Sequence, residues 1–194
     1  MSAPSYDHLR ALIVEDNAHM RTLLCSLLHA FGIRQAYECD EGDEAFAEIC
    51  ARKLDFVLTD LSMAPMDGIE FARRIRAHPS SPNAYAPIIM VTGHTERPRV
   101  EAARDAGVTE FLAKPITAAN LMLRLAEIVE RPRPFVKCDT HFGPDRRRRK
   151  AEDYAALAPR GRLSSATSSS RFCTAMPSRS RWKSGAAACP VNPS

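Results

Sequence analysis

The sequence predicts an α/β fold: a doubly wound, five-stranded parallel sheet with helices on both faces. Residues 9–130 alternate five times between a short apolar run and a longer amphipathic segment. The runs, such as Leu12-Ile-Val14 and Ile88-Ile-Met-Val91, are apolar at nearly every position, as strands covered on both sides must be. The composition of the 194 residues, 45% hydrophobic and 26% charged, supplies a core for one ordinary domain with chain left over.

The elements follow in order. Leu9 to Glu15 reads as the first strand. Met20, Leu23, Leu24, Leu27, Leu28 and Phe31 then recur at helical spacing and predict a buried stripe. Asp16 or Asn17 can cap that helix, and Gly32 can end it. Gln35 to Cys39 is the second strand, and Glu41 to Arg52 a helix with Ala45, Phe46 and Ile49 inward. Phe56 to Thr59 is the third strand and ends at Asp60. A helix over 69–77 turns Phe71, Ala72 and Ile75 to one side. After a loop over 79–87, Ile88 to Thr92 is the fourth strand. A weaker helix over 97–106 stops at Gly107, and Glu110 to Ala113 is the fifth strand. The last helix, 117–130, carries Leu121, Leu123, Leu125, Ile128 and Val129.

The chain divides at about residue 130. Residues 1–130 hold 13 Lys and Arg against 19 Asp and Glu, whereas residues 131–194 hold 14 against 4. The first part is an acidic domain. The second is a basic tail rich in Ser, Pro and Arg, with seven residues from Leu, Ile, Val and Phe, too few to bury a core of its own. Disorder is the expectation for 131–194. Its run Arg146-Arg-Arg-Arg-Lys150 could meet phosphates of nucleic acid, acidic protein or lipid, or could simply be a solvated charge run. No pair of periodic helices follows from which a helix-turn-helix could be built. Beyond about Leu157 the composition has no pattern, and an off-frame extension of the gene is one hypothesis for it.

Several classes drop out. No apolar run reaches the roughly 18–20 residues of a membrane span, and residues 1–10 lack the basic start and apolar stretch of a signal peptide. A cytoplasmic protein without a membrane partner is expected. The six cysteines contain no C-x-x-C pair, so structural zinc and disulfide frameworks are not indicated and reduced, structural thiols are.

Chemistry gathers at the strand ends. The first strand ends in Glu15-Asp16, the third in Asp60, the fourth in Thr92, and Lys114-Pro115 follows the fifth. In a parallel sheet of this kind these points converge beyond the carboxyl edge. Each residue alone has an ordinary use: a cap, a solvated strand end, β propensity, a surface lysine. Together they place three carboxylates, a hydroxyl and an ammonium in one small volume. Crowded carboxylates repel unless a cation sits among them, and Mg²⁺ takes one or two such ligands while keeping several waters. An Asp there can attack phosphorus, with Lys114 and Thr92 able to contact phosphoryl oxygens.

The motifs Leu12-Ile-Val-Glu-Asp16, Asp60-Leu-Ser-Met-Ala-Pro-Met-Asp-Gly68, Met90-Val-Thr92 and Phe111-Leu-Ala-Lys-Pro115 make residues 8–130 resemble the receiver domain of bacterial two-component response regulators, of the stand-alone chemotaxis type. The resemblance implies a flavodoxin-like receiver fold for 1–130. It implies that Asp60 accepts a phosphoryl group from a histidine kinase or phosphotransfer protein, and that a downstream protein target reads the result. By the same resemblance Asp16, Asp60 and the backbone carbonyl of Ser62 hold Mg²⁺, and Glu15 acts through water. Lys114 and Thr92 contact the phosphoryl group. Phe111 occupies the place of an aromatic switch that turns inward with Thr92; a plain core aromatic is the other reading of that position. The sequence departs from the family pattern at Ala64, where proline is common and here comes one residue later at Pro65. Small Gly93 after Thr92 leaves room for the phosphoryl group.

Two competing functions remain at this level. One is a nucleic-acid binder acting through the basic tail, with the receiver as its control. The other is a phosphatase-type hydrolase using Asp60 on a free substrate. Such an enzyme needs an acid two residues after the nucleophile, where Ser62 stands, so a non-enzymatic phosphoacceptor is the expectation.

Overall fold

A computed structural model describes residues 6–78, 81–93, 97–138, 141–145 and 174–176. It contains β1 (Arg10–Val14), α1 (Ala18–Ala30), β2 (Gln35–Cys39), α2 (Gly42–Ala51), β3 (Phe56–Asp60), α3 (Gly68–Ala77), β4 (Ile88–Thr92), α4 (Arg97–Asp105), β5 (Glu110–Ala113) and α5 (Ala118–Glu130). The five strands form one sheet in the order β2-β1-β3-β4-β5, and every pair is parallel. The predicted doubly wound sheet is the observed one.

Strand alternation builds two cores. Leu12, Val14, Val57, Ile88 and Met90 face one side, where Ile49 of α2, Phe71 and Ile75 of α3 and Ala103 of α4 cover them. Ala11, Ile13, Phe56, Leu58, Ile89 and Val91 face the other, under Leu24 and Leu28 of α1 and Leu121, Leu125 and Ile128 of α5. Two leucines depart from the expected stripes. Leu23 is 42% exposed and Leu123 62% exposed, because each sits on the outer shoulder of its helix while its neighbours reach the sheet. The helix starts are capped by side chains: Asn17 Oδ1 accepts from Met20 N at 3.1 Å, Asp67 Oδ1 from Glu70 N at 2.8 Å and Thr117 Oγ1 from Asn120 N at 3.2 Å. Asn17 rather than Asp16 caps α1, which leaves the Asp16 carboxylate outside the cap.

The segment after residue 130 differs from expectation in its described part. Phe135–Cys138 (β6) and His141–Pro144 (β7) pair as an antiparallel hairpin, and Thr174–Met176 (β8) adds to the free side of β6. The hairpin builds no core of its own; it borrows one. Tyr85, just ahead of β4, meets the rings of Phe135 and Phe142 edge-on at 5.5 and 5.1 Å. The Arg76 guanidinium lies 5.0 Å from the Phe135 ring centroid. Arg76 is buried, and it donates to the carbonyls of Gly107 and Ala84 at 3.0 and 2.7 Å. Gly107 fits this corner for two reasons. Its φ is +89°, and a Cβ there would stand 2.8 Å from the Phe142 carbonyl oxygen. The basic run 146–150 and the remainder of the tail, 151–173 and 177–194, lie outside the described residues.

Cys25, Cys39 and Cys50 are not in disulfides. Burial pushes the Cys25 thiol up to about 11 and that of Cys39 up to about 12, so both stay protonated at neutral pH, as structural thiols do. Among the described residues no helix is long and apolar enough to cross a membrane.

Candidate functional site

Four predicted residues, Glu15, Asp16, Asp60 and Lys114, come together at the carboxyl edge of the sheet, and Thr92 stands at a strand end along the same edge. Asp60 is the last residue of β3, Glu15 and Asp16 follow β1, Thr92 ends β4 and Lys114 follows β5. Main-chain bonds continue the ladder past the strand ends and hold these points together. Glu15 N donates to Cys39 O at 3.2 Å, Leu61 N to Val91 O at 2.9 Å and Lys114 N to Thr92 O at 2.8 Å. Glu15, Asp60 and Lys114 share a phase: each lies two residues beyond Ile13, Leu58 or Leu112, which all face the same core.

Glu15 is 1% exposed and Asp60 5%, whereas Asp16 is exposed. One carboxylate oxygen from each lies within 4.8 Å of the other two. Lys114 Nζ stands 3.0 Å from Asp60 Oδ1 and 3.3 Å from Glu15 Oε2. Ser62 N donates to Asp60 Oδ2 at 3.3 Å, which places the Ser62 main chain beside the acceptor carboxylate. Burial, and then the neighbouring Asp60 charge, push the Glu15 carboxyl above its ordinary range, with Lys114 pulling only partly against them. Burial pulls the Lys114 ammonium down, but its hydrogen bond to and charge pairing with Asp60, helped by Glu15, outweigh this and raise it. The site is therefore a cationic lysine facing more negative charge than it can balance. Its donors are hard oxygens, the set that suits Mg²⁺, and among the described residues no other group of acids, histidines and cysteines is close enough to hold a metal ion.

Thr92 and Phe111 lie on the other face, both in phase with Met90: Thr92 two residues on along β4, Phe111 paired with Met90 across the ladder. Thr92 is buried. Phe111 is half-buried against that core, and the Arg104 guanidinium of α4 sits 5.9 Å from its ring centroid. It thus borders both the core and a groove of about 660 Å³ between α4, β5 and α5. The segment after α5 supplies part of the wall through Arg133 and Pro144. Arg133 and Arg124 both pair with the buried Glu110 carboxylate beside Phe111.

Three contributions escaped the sequence reading. Gly68, quoted only as the end of a motif, is required by packing: a Cβ there would lie 2.1 Å from the Asp60 carbonyl oxygen, so α3 can start against the acceptor only with glycine. Arg21 of α1 donates from Nη1 to Glu15 O at 2.6 Å. Arg133 shapes the groove from beyond the last periodic residue. Spacing marks none of the three, since each acts through the main chain or a remote segment.

Comparison with known proteins agrees with this geometry. Residues 11–126 match the family model described as the response regulator receiver domain. The chain is 34% identical over 131 residues to chemotaxis protein CheY-3 of Vibrio cholerae, covering 68% of this chain and 99% of that protein. The structure of V. cholerae CheY4 superposes with a TM-score of 0.59 at 26% identity, covering 62% of this chain and 98% of the other. The receiver domain of the sensor histidine kinase PA1611 from Pseudomonas aeruginosa, solved with a magnesium ion coordinated in its active-site cleft, superposes with a TM-score of 0.56 at 28% identity, over 61% of this chain and 95% of that one. The chain therefore belongs to the response regulator receiver domain family.

Proposed function

We propose that this chain is a stand-alone response regulator: Asp60 accepts a phosphoryl group from a histidine kinase or phosphotransfer protein, and the change switches a surface read by a downstream protein target. It acts as a phosphoacceptor in the cytoplasm and not as an enzyme on a free substrate. The observation that supports this best is the convergence of Glu15, Asp16 and Asp60 within 4.8 Å of one another, with Lys114 at 3.0 Å from Asp60.

In the transfer, an Asp60 carboxylate oxygen forms the new bond to phosphorus. The P–N bond to the donor imidazole breaks, and the imidazole nitrogen keeps that electron pair. Asp16, Asp60 and the Ser62 carbonyl are the residues that would hold Mg²⁺, with Glu15 acting through water. A Mg²⁺ ion supplies positive charge to the transferred oxygens. Lys114 already lies against Asp60 and can pair with the phosphoryl group when the carboxylate becomes an acyl phosphate. Thr92 offers a hydroxyl to the same group. Phe111, at the border of core and groove, is the residue through which the α4–β5–α5 face would register the change.

The test is labelling of the full chain by a small acyl phosphate with Mg²⁺, read as the mass gain of one phosphoryl group. Asp60→Asn is expected to take up none, and excess chelator or Asp16→Ala to suppress uptake by the parent. Equal labelling of parent and Asp60→Asn would overturn the assignment.

A further inference from the structure

We propose that Arg21 is a positioning residue for the cation site, clamping the loop after β1 so that the Asp16 carboxylate meets those of Glu15 and Asp60. This rests on the metal-assisted phosphoacceptor reading above and adds a residue from α1, away from the strand ends.

Asp16 is the exposed member of the acidic group, so little packing fixes it. Its direction depends on the peptide unit joining it to Glu15. The N–H of Glu15 is held by Cys39 O at 3.2 Å. Its carbonyl is held by Arg21 Nη1 at 2.6 Å, a short charge-assisted bond. The same guanidinium turns its Nε toward Glu38 Oε2 at 3.7 Å. Both main-chain polar groups of Glu15 are thus tied to the Glu38-Cys39 end of β2, one directly and one through Arg21. The base of the Arg21 side chain is itself anchored, because Arg21 N donates to Asn17 O at 2.9 Å in the first turn of α1. A planar fork can serve carbonyl and carboxylate together; a lysine ammonium is a single point charge on a loose stem. The Arg21 side chain is 20% exposed, so its bonds face limited competition from water.

The experiment is a Mg²⁺ titration of the full chain, followed by the amide shifts of Asp16 and Asn17, for the parent, Arg21→Ala, Arg21→Lys and Glu38→Gln. Thermal melting is recorded alongside. The parent is expected to bind saturably, and Arg21→Ala on the order of tenfold more weakly, as loss of a residue that orients a ligand does. Arg21→Lys should recover part of that loss, and Glu38→Gln should show a smaller one. A tie that merely joins α1 to β2 would lower the melting temperature and leave Mg²⁺ affinity of the folded protein unchanged; that result overturns the proposal. If Arg21→Ala does not fold, Glu38→Gln decides, since its side chain is 41% exposed and parental affinity there refutes the clamp. A parent that binds no Mg²⁺ refutes the metal reading itself, and with it this inference.

Discussion

Phe135→Ala in the full chain is expected to lower the melting temperature by several degrees. Phe135 is half-buried, with Arg76 5.0 Å from its ring centroid, Tyr85 edge-on at 5.5 Å and Phe142 at 6.2 Å. A half-buried phenylalanine covers about 100 Å² of apolar area, worth roughly 2.5 kcal/mol. The contact with a buried guanidinium adds about 0.5–1 kcal/mol. Together these make about 3 kcal/mol, an upper figure, because the hairpin can undock locally and cap the loss. At roughly 2–4 °C per kcal/mol for a domain of this size, the melt should fall by about 6–12 °C, less if undocking intervenes. Phe135→Leu keeps much of the apolar area without the ring and should lie between. Calorimetry reads the melt, and amide exchange over 135–144 reads docking. The contact lies at the amino ends of β4 and β5, away from Asp60, so labelling by a small phosphodonor should be unchanged. A variant melting within about 1 °C of the parent, with amides equally protected, would refute the docking energetics.

Removing residues 131–194 should leave a domain that melts cooperatively and takes up phosphate, but at a lower temperature than the full chain; a non-cooperative melt would mean that the tail completes the core. Thr92→Ala and Phe111→Ala should still be labelled at Asp60 while losing the shift changes over residues 97–125 that a phosphoryl mimic with Mg²⁺ produces. A bond to a charged group is worth about 1.5–3 kcal/mol, enough to move a two-state population tenfold or more, and a full parental response in Thr92→Ala would remove that hydroxyl from the coupling. Lys114→Met should make stability more sensitive to pH. Glu15 is already raised by burial and by Asp60, and removing the ammonium raises it further. A carboxyl raised in the folded state binds more protons there than in the unfolded chain, so stability falls as pH rises from the ordinary carboxylate range through the raised value. Denaturant midpoints at pH 5 and pH 8 without Mg²⁺ check this, and a drop no larger than the parent's would count against it.

The sheet and the acidic site were legible because both rest on short-range patterns. Short apolar runs with no polar face fit strands covered twice, and the helical stripes between them point to a doubly wound sheet. Once the strands are placed, the polar residue ending each one is placed too, and so Glu15, Asp16, Asp60, Thr92 and Lys114 could be read as one group. Direction within the group was not legible. That Lys114 bridges Asp60 and Glu15, or that Asn17 takes the cap and leaves Asp16 outside it, depends on register and on sub-ångström placement of loops. Leu23 and Leu123 show the limit of periodicity in the other direction: a stripe wide enough for the core includes shoulder positions that the sheet does not reach.

The hairpin after α5 shows a different limit. Seven residues from Leu, Ile, Val and Phe in the last 64 are too few to build a core of their own. What that count leaves out is that two aromatics suffice when a surface elsewhere receives them. The receiving surface is assembled from positions with unremarkable local readings: Arg76 looks like the solvated end of an amphipathic helix, Tyr85 like a loop aromatic, Gly107 like a helix stop. Only the tertiary fold brings them to one corner, where the guanidinium is buried against two carbonyls and a ring, and the glycine admits the Phe142 carbonyl. A buried arginine held by carbonyls is costly unless every donor it turns inward is met and its face is covered. Phe135 supplies that cover. The dependence is mutual: the hairpin has no core without the corner, and the corner has an uncovered guanidinium without the hairpin.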